Sequence, residues 1–192
     1  MVPLVAAGLL AAFFGHPFLA LACLVLAGYV AYFFRDPRRD IPPGEYRVVS
    51  PADGKVVRIQ PLPDGTRTVS IFLSIFDVHV NRAPVSARLE RLEYVRGKFK
   101  PAFDDEASRL NEQNILTLSG PEMRVVVRQI AGLIARRVVC WKKPGDGVQR
   151  GERIGLIRFG SRVDITLPER VRLLVKVGDR VRGGSSILGE YV

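Results

Sequence analysis

Three side chains of this sequence could share one piece of chemistry. His79 is the single histidine of residues 35–192, within Ser74-Ile75-Phe76-Asp77-Val78-His79-Val80-Asn81-Arg82-Ala83-Pro84, and the other histidine, His16, lies in an apolar run. An imidazole acid or base in the charged part of the chain is therefore His79, although a lone histidine also serves as an ordinary packed polar group. Ser161 stands in Phe159-Gly160-Ser161-Arg162-Val163-Asp164, where a glycine inside strand-like sequence needs a reason. Gly184-Ser185 is a rival pair, but a turn accounts for it. Asp53 belongs to Ser50-Pro51-Ala52-Asp53-Gly54, whose carboxylate can serve the turn alone. Brought together, Ser161, His79 and Asp53 would form a nucleophile, a base and its orienting acid. The Gly-x-Ser-x-Gly elbow of many hydrolases is absent, which argues against that fold. Cys23 and Cys140 have no metal-ligand spacing, so the sequence supports neither a metal site nor a disulfide framework, in keeping with a reducing cytoplasm.

Past residue 45 the elements that must position these groups read as short strands. Runs such as Lys55-Val56-Val57-Arg58-Ile59 and Arg67-Thr68-Val69-Ser70-Ile71-Phe72-Leu73 alternate with turn markers such as Asp53-Gly54, Pro63-Asp64-Gly65, Gly145-Asp146-Gly147 and Gly178-Asp179. The pattern predicts a mainly β domain, with a short helix or irregular loop only at residues 101–114, around Asp104, Asp105, Glu106, Ala107 and Leu110. Gly145-Asp146-x-Val148-x-x-Gly151-x-x-Ile154 recurs, 33 residues on, as Gly178-Asp179-x-Val181-x-x-Gly184-x-x-Ile187. This internal repeat predicts two like turns in the two halves of a barrel-sandwich-like domain. It resembles the turns of lipoyl- and biotinyl-type domains, but no lysine stands at a hairpin tip, so the likeness speaks for a fold and not for a carrier.

Charge divides the chain in two. Of its 192 residues, the first 34 contain no Asp, Glu, Lys or Arg, while the whole carries a net charge of +10 and 23 of the 29 basic residues are arginine. Such a composition excludes a disordered polyelectrolyte, a collagen-like chain and a disulfide-rich toxin. Basic residues follow the apolar run and do not precede it, which argues against a cleaved signal peptide. Residues 1–34 are expected to be a membrane anchor of one or two short helices broken at Gly15-His16-Pro17, either a shallow hairpin or one span with an interfacial piece. Arg35, Arg38 and Arg39 then put residues 35–192 on the cytoplasmic side of the cell membrane. Beside such an anchor, the partner expected for the arginines is an anionic lipid surface. Nucleic acid is not expected, since there is no basic helix, zinc knuckle or interleaving of aromatics.

Several motifs in order carry a family resemblance: Phe33-Phe34-Arg35-Asp36-Pro37, Ser50-Pro51-Ala52-Asp53-Gly54, Asp77-Val78-His79-Val80-Asn81-Arg82-Ala83-Pro84, Gly97-Lys98-Phe99, Asn111-Glu112-x-Asn114 and Phe159-Gly160-Ser161. The chain resembles the phosphatidylserine decarboxylase proenzymes, in the short form shared by some bacteria and by archaeal archaetidylserine decarboxylases. The resemblance implies a membrane-bound decarboxylase that converts Ser161 into its own pyruvoyl cofactor. Ser161 would attack the carbonyl of Gly160 with His79 as base and Asp53 orienting it, cutting the chain into residues 1–160 and 161–192, which remain together as a heterodimer. His79 would later return a proton to the substrate. The substrate would be an aminophospholipid, with Asn81 and Arg82 as candidate headgroup contacts. Phe159 and Arg162 flank the Gly-Ser pair where the long bacterial form has Leu and Thr. Two other classes remain to be distinguished: a membrane-anchored barrel-sandwich adaptor, which would need helical heptads, and a membrane peptidase, which would keep Ser161 and an intact chain. The nature of the lipid tails and any higher oligomer are left open.

Overall fold

In the computed structural model all residues are described except Glu45, Phe103, Asp105, Ile134, Ala135, Arg136, Phe159 and Val192; Asp105 and Phe159 of the motifs above thus lie outside the described residues. The chain forms two units, residues 1–37 and 38–192.

The first unit is α1 (Val2–Phe13) and α2 (Pro17–Phe33). Gly15 takes a φ of +76° and Pro17 opens α2, so the apolar run breaks where a left-handed glycine and a proline meet. The two helices pack through small residues. A β-carbon on Gly8 would stand 3.3 Å from both the Ala20 carbonyl oxygen and Cys23 Cβ, and Ala11, Ala20 and Ala27 are buried. Leu9, Leu10, Phe13, Phe18, Leu21 and Val25 are exposed. At 17 residues α2 is about 26 Å long, short of a hydrocarbon core of about 30 Å. Among the described residues no helix is long and apolar enough to cross a membrane, so the spanning helix that was one expectation for residues 1–34 does not form.

The second unit is mainly β, as expected. Its strands are β1 (Arg47–Val49), β2 (Gly54–Pro61), β3 (Arg67–Leu73), β4 (Val80–Arg82), β5 (Ala87–Val95), β6 (Gln113–Ser119) and β7 (Arg124–Ile130), followed by β8 (Val138–Cys140), β9 (Gly147–Val148), β10 (Arg153–Ile157), β11 (Ser161–Leu167), β12 (Val171–Leu173), β13 (Arg180–Val181) and β14 (Ile187–Tyr191). A single turn of helix, α3 (Ala107–Leu110), interrupts them. Eight strands form one sheet in the order β13-β2-β3-β11-β7-β6-β5-β9, and two three-stranded sheets, β1-β14-β12 and β4-β10-β8, complete the unit. Alternation decides the faces. Val69, Ile71 and Leu73 of β3, Leu116 and Leu118 of β6, Val125 and Val127 of β7, and Val163, Ile165 and Leu167 of β11 join one apolar cluster with residues of both small sheets. Burial also pushes the Cys140 thiol upward in pKa.

The two Gly-Asp turns make the same bonds. Gly145 N–H donates to the Leu89 carbonyl and Leu89 N–H to the Asp146 carbonyl, while Gly178 N–H donates to Val56 and Val56 N–H to Asp179, all at 2.7–2.9 Å. Their strands, however, occupy opposite edges of the one large sheet, β9 on β5 and β13 on β2. The repeated motif therefore closes the two edges of one sheet, and the two-halved barrel-sandwich expected from it is not formed. Similar turn chemistry recurs wherever a strand edge needs a tight return, so it does not by itself fix sheet order.

Candidate active site

Ser161 opens β11 opposite Leu73, the last residue of β3. On the strand before it, Ile157 N–H donates to the His79 carbonyl at 3.3 Å. β3 leads through His79 to β4, and β10 is followed by β11; since β3 lies beside β11 and β4 beside β10, His79 and Ser161 come to one end of the large sheet. Asp53 stands at that end too, immediately before β2, whose Lys55 pairs with Phe72.

Ser161 is fully buried, and its Oγ has no hydrogen-bond partner among the described residues. Gly160 holds a φ of +53°, a conformation that costs a side-chain-bearing residue about 1–2 kcal/mol. Its carbonyl rests on Gly132, so closely that a β-carbon there would lie 1.9 Å from the Gly160 oxygen. The peptide bond between Gly160 and Ser161 is therefore held by a left-handed glycine on one side and a bare backbone beneath it.

His79 is 3% exposed. Its Nδ1 lies 2.9 Å from the Asp77 carbonyl oxygen, and because a carbonyl only accepts, Nδ1 carries the proton and Nε2 is the basic nitrogen of the neutral ring. Asp77 is itself fixed, its carboxylate accepting from both Ser74 N–H and Ser74 Oγ. Asp53 accepts two hydrogen bonds from Arg39, at 2.8 and 2.9 Å, and one from Gly183 N–H at 2.8 Å. The contacts described for Asp53 are thus to a guanidinium and a turn, while those described for His79 are to backbone. Arg82, which alternates with Asn81 along β4, donates to the Gly151 carbonyl and passes 2.9 Å from where a Gly184 β-carbon would stand. That use ties two turns together.

Asn81 does join the interior. Gln129, opposite Val163 on the core side of β7, donates from Nε2 to Asn81 Oδ1 at 2.8 Å and accepts from Asn114 at 3.2 Å. Gly155 leaves room for it, since a β-carbon there would be 2.8 Å from Gln129 Nε2. On the other face of β11, Arg162 and Asp164 form a buried ion pair, with side chains 2% and 3% exposed. Arg162 also donates to the carbonyls of Ala102 and Asp104, and Ser108 Oγ donates to Asp164 at 2.6 Å. Sequence reasoning passed over Gln129, Gly132 and this pair. Gln129 was detectable as the one amide in the inward register of Val125, Val127 and Ala131, where every other side chain is apolar. Among the described residues no cluster of three or more His, Cys, Asp or Glu could hold a metal ion.

This arrangement can be set beside known proteins. The family model for phosphatidylserine decarboxylase matches residues 26–189. A protein named phosphatidylserine decarboxylase proenzyme from Solibacter usitatus is 49% identical over 96% of this chain and 90% of its own length. Proteins of the same name from Syntrophus aciditrophicus and Geotalea uraniireducens are 44% and 49% identical, over 95% and 89% of this chain and 90% and 83% of their own lengths. With a buried serine behind a left-handed glycine and likeness running along nearly the whole sequence, the chain belongs to the phosphatidylserine decarboxylase family of carboxy-lyases.

Proposed function

We propose that the chain is a proenzyme that cuts itself between Gly160 and Ser161 and then decarboxylates phosphatidylserine to phosphatidylethanolamine. The observation that carries this reading is the seating of that bond: a buried Ser161 Oγ with no hydrogen-bond partner among the described residues, behind a Gly160 carbonyl set against Gly132.

Ser161 Oγ gives its proton to His79 and attacks the Gly160 carbonyl carbon; the C–N bond breaks, leaving an ester and a free amine at residue 161. Removal of the Cα proton of residue 161 then expels Gly160 as a carboxylate that keeps the serine oxygen. The dehydrated residue takes up water and releases ammonia, leaving a pyruvoyl ketone at the head of residues 161–192. The residues present fit such a group, because Ser161 is already buried at the head of β11, and the new end at residue 161 is held by that strand's existing pairing with β3 and β7. A pyruvoyl ketone supplies a carbonyl that condenses with the substrate amine and accepts the electrons released with carbon dioxide. His79, held through Nδ1, offers Nε2 to carry the proton returned to the substrate. Asp53, fixed by Arg39 and by Gly183 N–H, is the acid assigned to orient His79.

The two-helix unit keeps the enzyme at the membrane that holds its substrate. Its exposed Leu and Phe side chains suit the acyl boundary, and its length favours lying in the interface over crossing it. Residues 38–192 then work at the cytoplasmic face.

The test is Ser161→Ala. It is expected to leave a single uncut chain without decarboxylase activity and with an unchanged melting temperature. Two chains from that variant would show that Ser161 does not make the cut and overturn the assignment.

A further inference from the structure

We propose that Asn81, aimed by Gln129, is the hydrogen-bond donor to an anionic oxygen at the Ser161 site; this rests on the reading of Ser161 given above. The three buried amides Asn114, Gln129 and Asn81 form a directed chain. Asn114 Nδ2 donates to Gln129 Oε1, and Gln129 Nε2 donates to Asn81 Oδ1 while lying 3.4 Å from the Val139 carbonyl. Each bond fixes which end of the next amide is oxygen and which is nitrogen. The chain ends on Asn81 Nδ2, which is buried and has no hydrogen-bond partner among the described residues, on a side chain that is 0% exposed.

A buried donor left unmet costs about 1–3 kcal/mol, and native structures rarely keep one without use. An apolar residue at 129 would release Asn81 to rotate, and a larger residue at 155 would displace Gln129. The sequence instead holds the donor in one orientation. Its surroundings identify what it meets. Asn81 follows His79 by two residues, and Gln129 is a diagonal neighbour of Ser161 across β11 and β7, facing the same interior. Nδ2 only donates, so its ligand is an acceptor, and the acceptors that chemistry at Ser161 supplies are negative oxygens. Two sources fit: the oxyanion formed when Ser161 attacks Gly160, and the carboxylate of the serine headgroup.

The experiment compares the full-length wild-type chain with Asn81→Ala, Asn81→Asp and Gln129→Met. Newly made precursor is followed by intact mass for release of residues 161–192, and the processed enzyme is assayed with a short-chain phosphatidylserine. If the ligand is the processing oxyanion, Asn81→Ala slows cleavage about 100-fold or more, as loss of one oxyanion donor does. If it is the headgroup carboxylate, cleavage is normal and KM rises at least about tenfold at little changed kcat, as loss of binding shared by ground and transition states does. In either case Asn81→Asp is worse than Asn81→Ala, because a like charge replaces the donor, and Gln129→Met shows the same defect more weakly. Gln129→Met leaves Asn81 in place and decides the matter should the Asn81 variants fail to fold. Wild-type cleavage with both Asn81→Ala and Gln129→Met within threefold of it in cleavage, KM and kcat would overturn the role of Asn81 while leaving the reading of Ser161 standing. An uncut wild-type chain would instead strike the reading of Ser161 itself.

Discussion

The two faces of β11 bury polar groups in opposite ways. Outward, Arg162 and Asp164 meet each other through two hydrogen bonds, at 2.9 and 3.1 Å, and every guanidinium nitrogen of Arg162 has an acceptor. Inward, Ser161 Oγ and Asn81 Nδ2 are buried with no hydrogen-bond partner among the described residues. A satisfied buried pair fixes geometry, whereas an unmet buried donor or hydroxyl is retained at a cost that structure alone does not repay. The outer face is accordingly scaffold, binding the 101–110 segment to the strand that carries Ser161, and the inner face is where reacting atoms meet.

That contrast can be broken by substitution. The largest effect belongs to the inner face: His79→Ala is expected to slow self-cleavage by about 10²–10⁴, the usual contribution of a general base, with little change in melting temperature. Time courses of fragment release would show it, and cleavage at the wild-type rate would remove His79 from the step. Gly132→Ala comes next. Its methyl group would press on the Gly160 oxygen, and a misplacement of about 1 Å is enough to cost roughly 100-fold. Gly160→Ala sharpens the point: its β-carbon meets nothing within 4 Å, so the cost is only the left-handed backbone strain of about 1–2 kcal/mol, and it should be cut faster than Gly132→Ala.

The outer face should answer differently. Asp164→Asn leaves the Arg162 charge buried and uncompensated, a loss of about 3–5 kcal/mol, or roughly 10 °C in melting temperature for a domain of this size. Cleavage should persist wherever the protein is still folded, and a variant of normal stability that fails to cut would erase the distinction between the faces. The smallest effect lies away from both. Lys142 bonds to Glu152, and this contact holds the Glu152 carboxyl below its usual range, aided by Gln149 N–H. A carboxyl lowered by folding stabilises above its unfolded pKa and ceases to do so as pH falls through the folded one. Glu152→Gln should therefore melt slightly lower than wild type at neutral pH, by no more than an exposed ion pair contributes, about 0–1 kcal/mol. The difference should vanish in acid.

Much of this was legible in the residues. Alternating Val, Ile and Leu between Gly-Asp turns announced a mainly β unit because period-2 patterning is local. The Gly160-Ser161 pair stood out because a glycine has no reason to open a strand. The break at Gly15-His16-Pro17 was visible for the same local reason, but the length of helix on each side was not, and 12 and 17 residues fall short of a span. Sheet order was hidden, since the two like turns at Gly145 and Gly178 lie on opposite edges of one sheet and only long-range pairing decides that. The partners of Asp53 were hidden as well. Arg39 is 14 residues away and Gly183 lies 130 residues away, and nothing in either spacing marks them. Gln129 and Gly132 carry no motif, and their meaning comes from what packs against them.

The most direct test of the account is the mass of the purified full-length protein under denaturing conditions, with a carbonyl reagent added to one sample. Cleavage between Gly160 and Ser161 predicts two chains, with the 161–192 chain blocked at its N-terminus and gaining the mass of one reagent molecule. A single chain of 192 residues that retains Ser161 and takes up no reagent would contradict it.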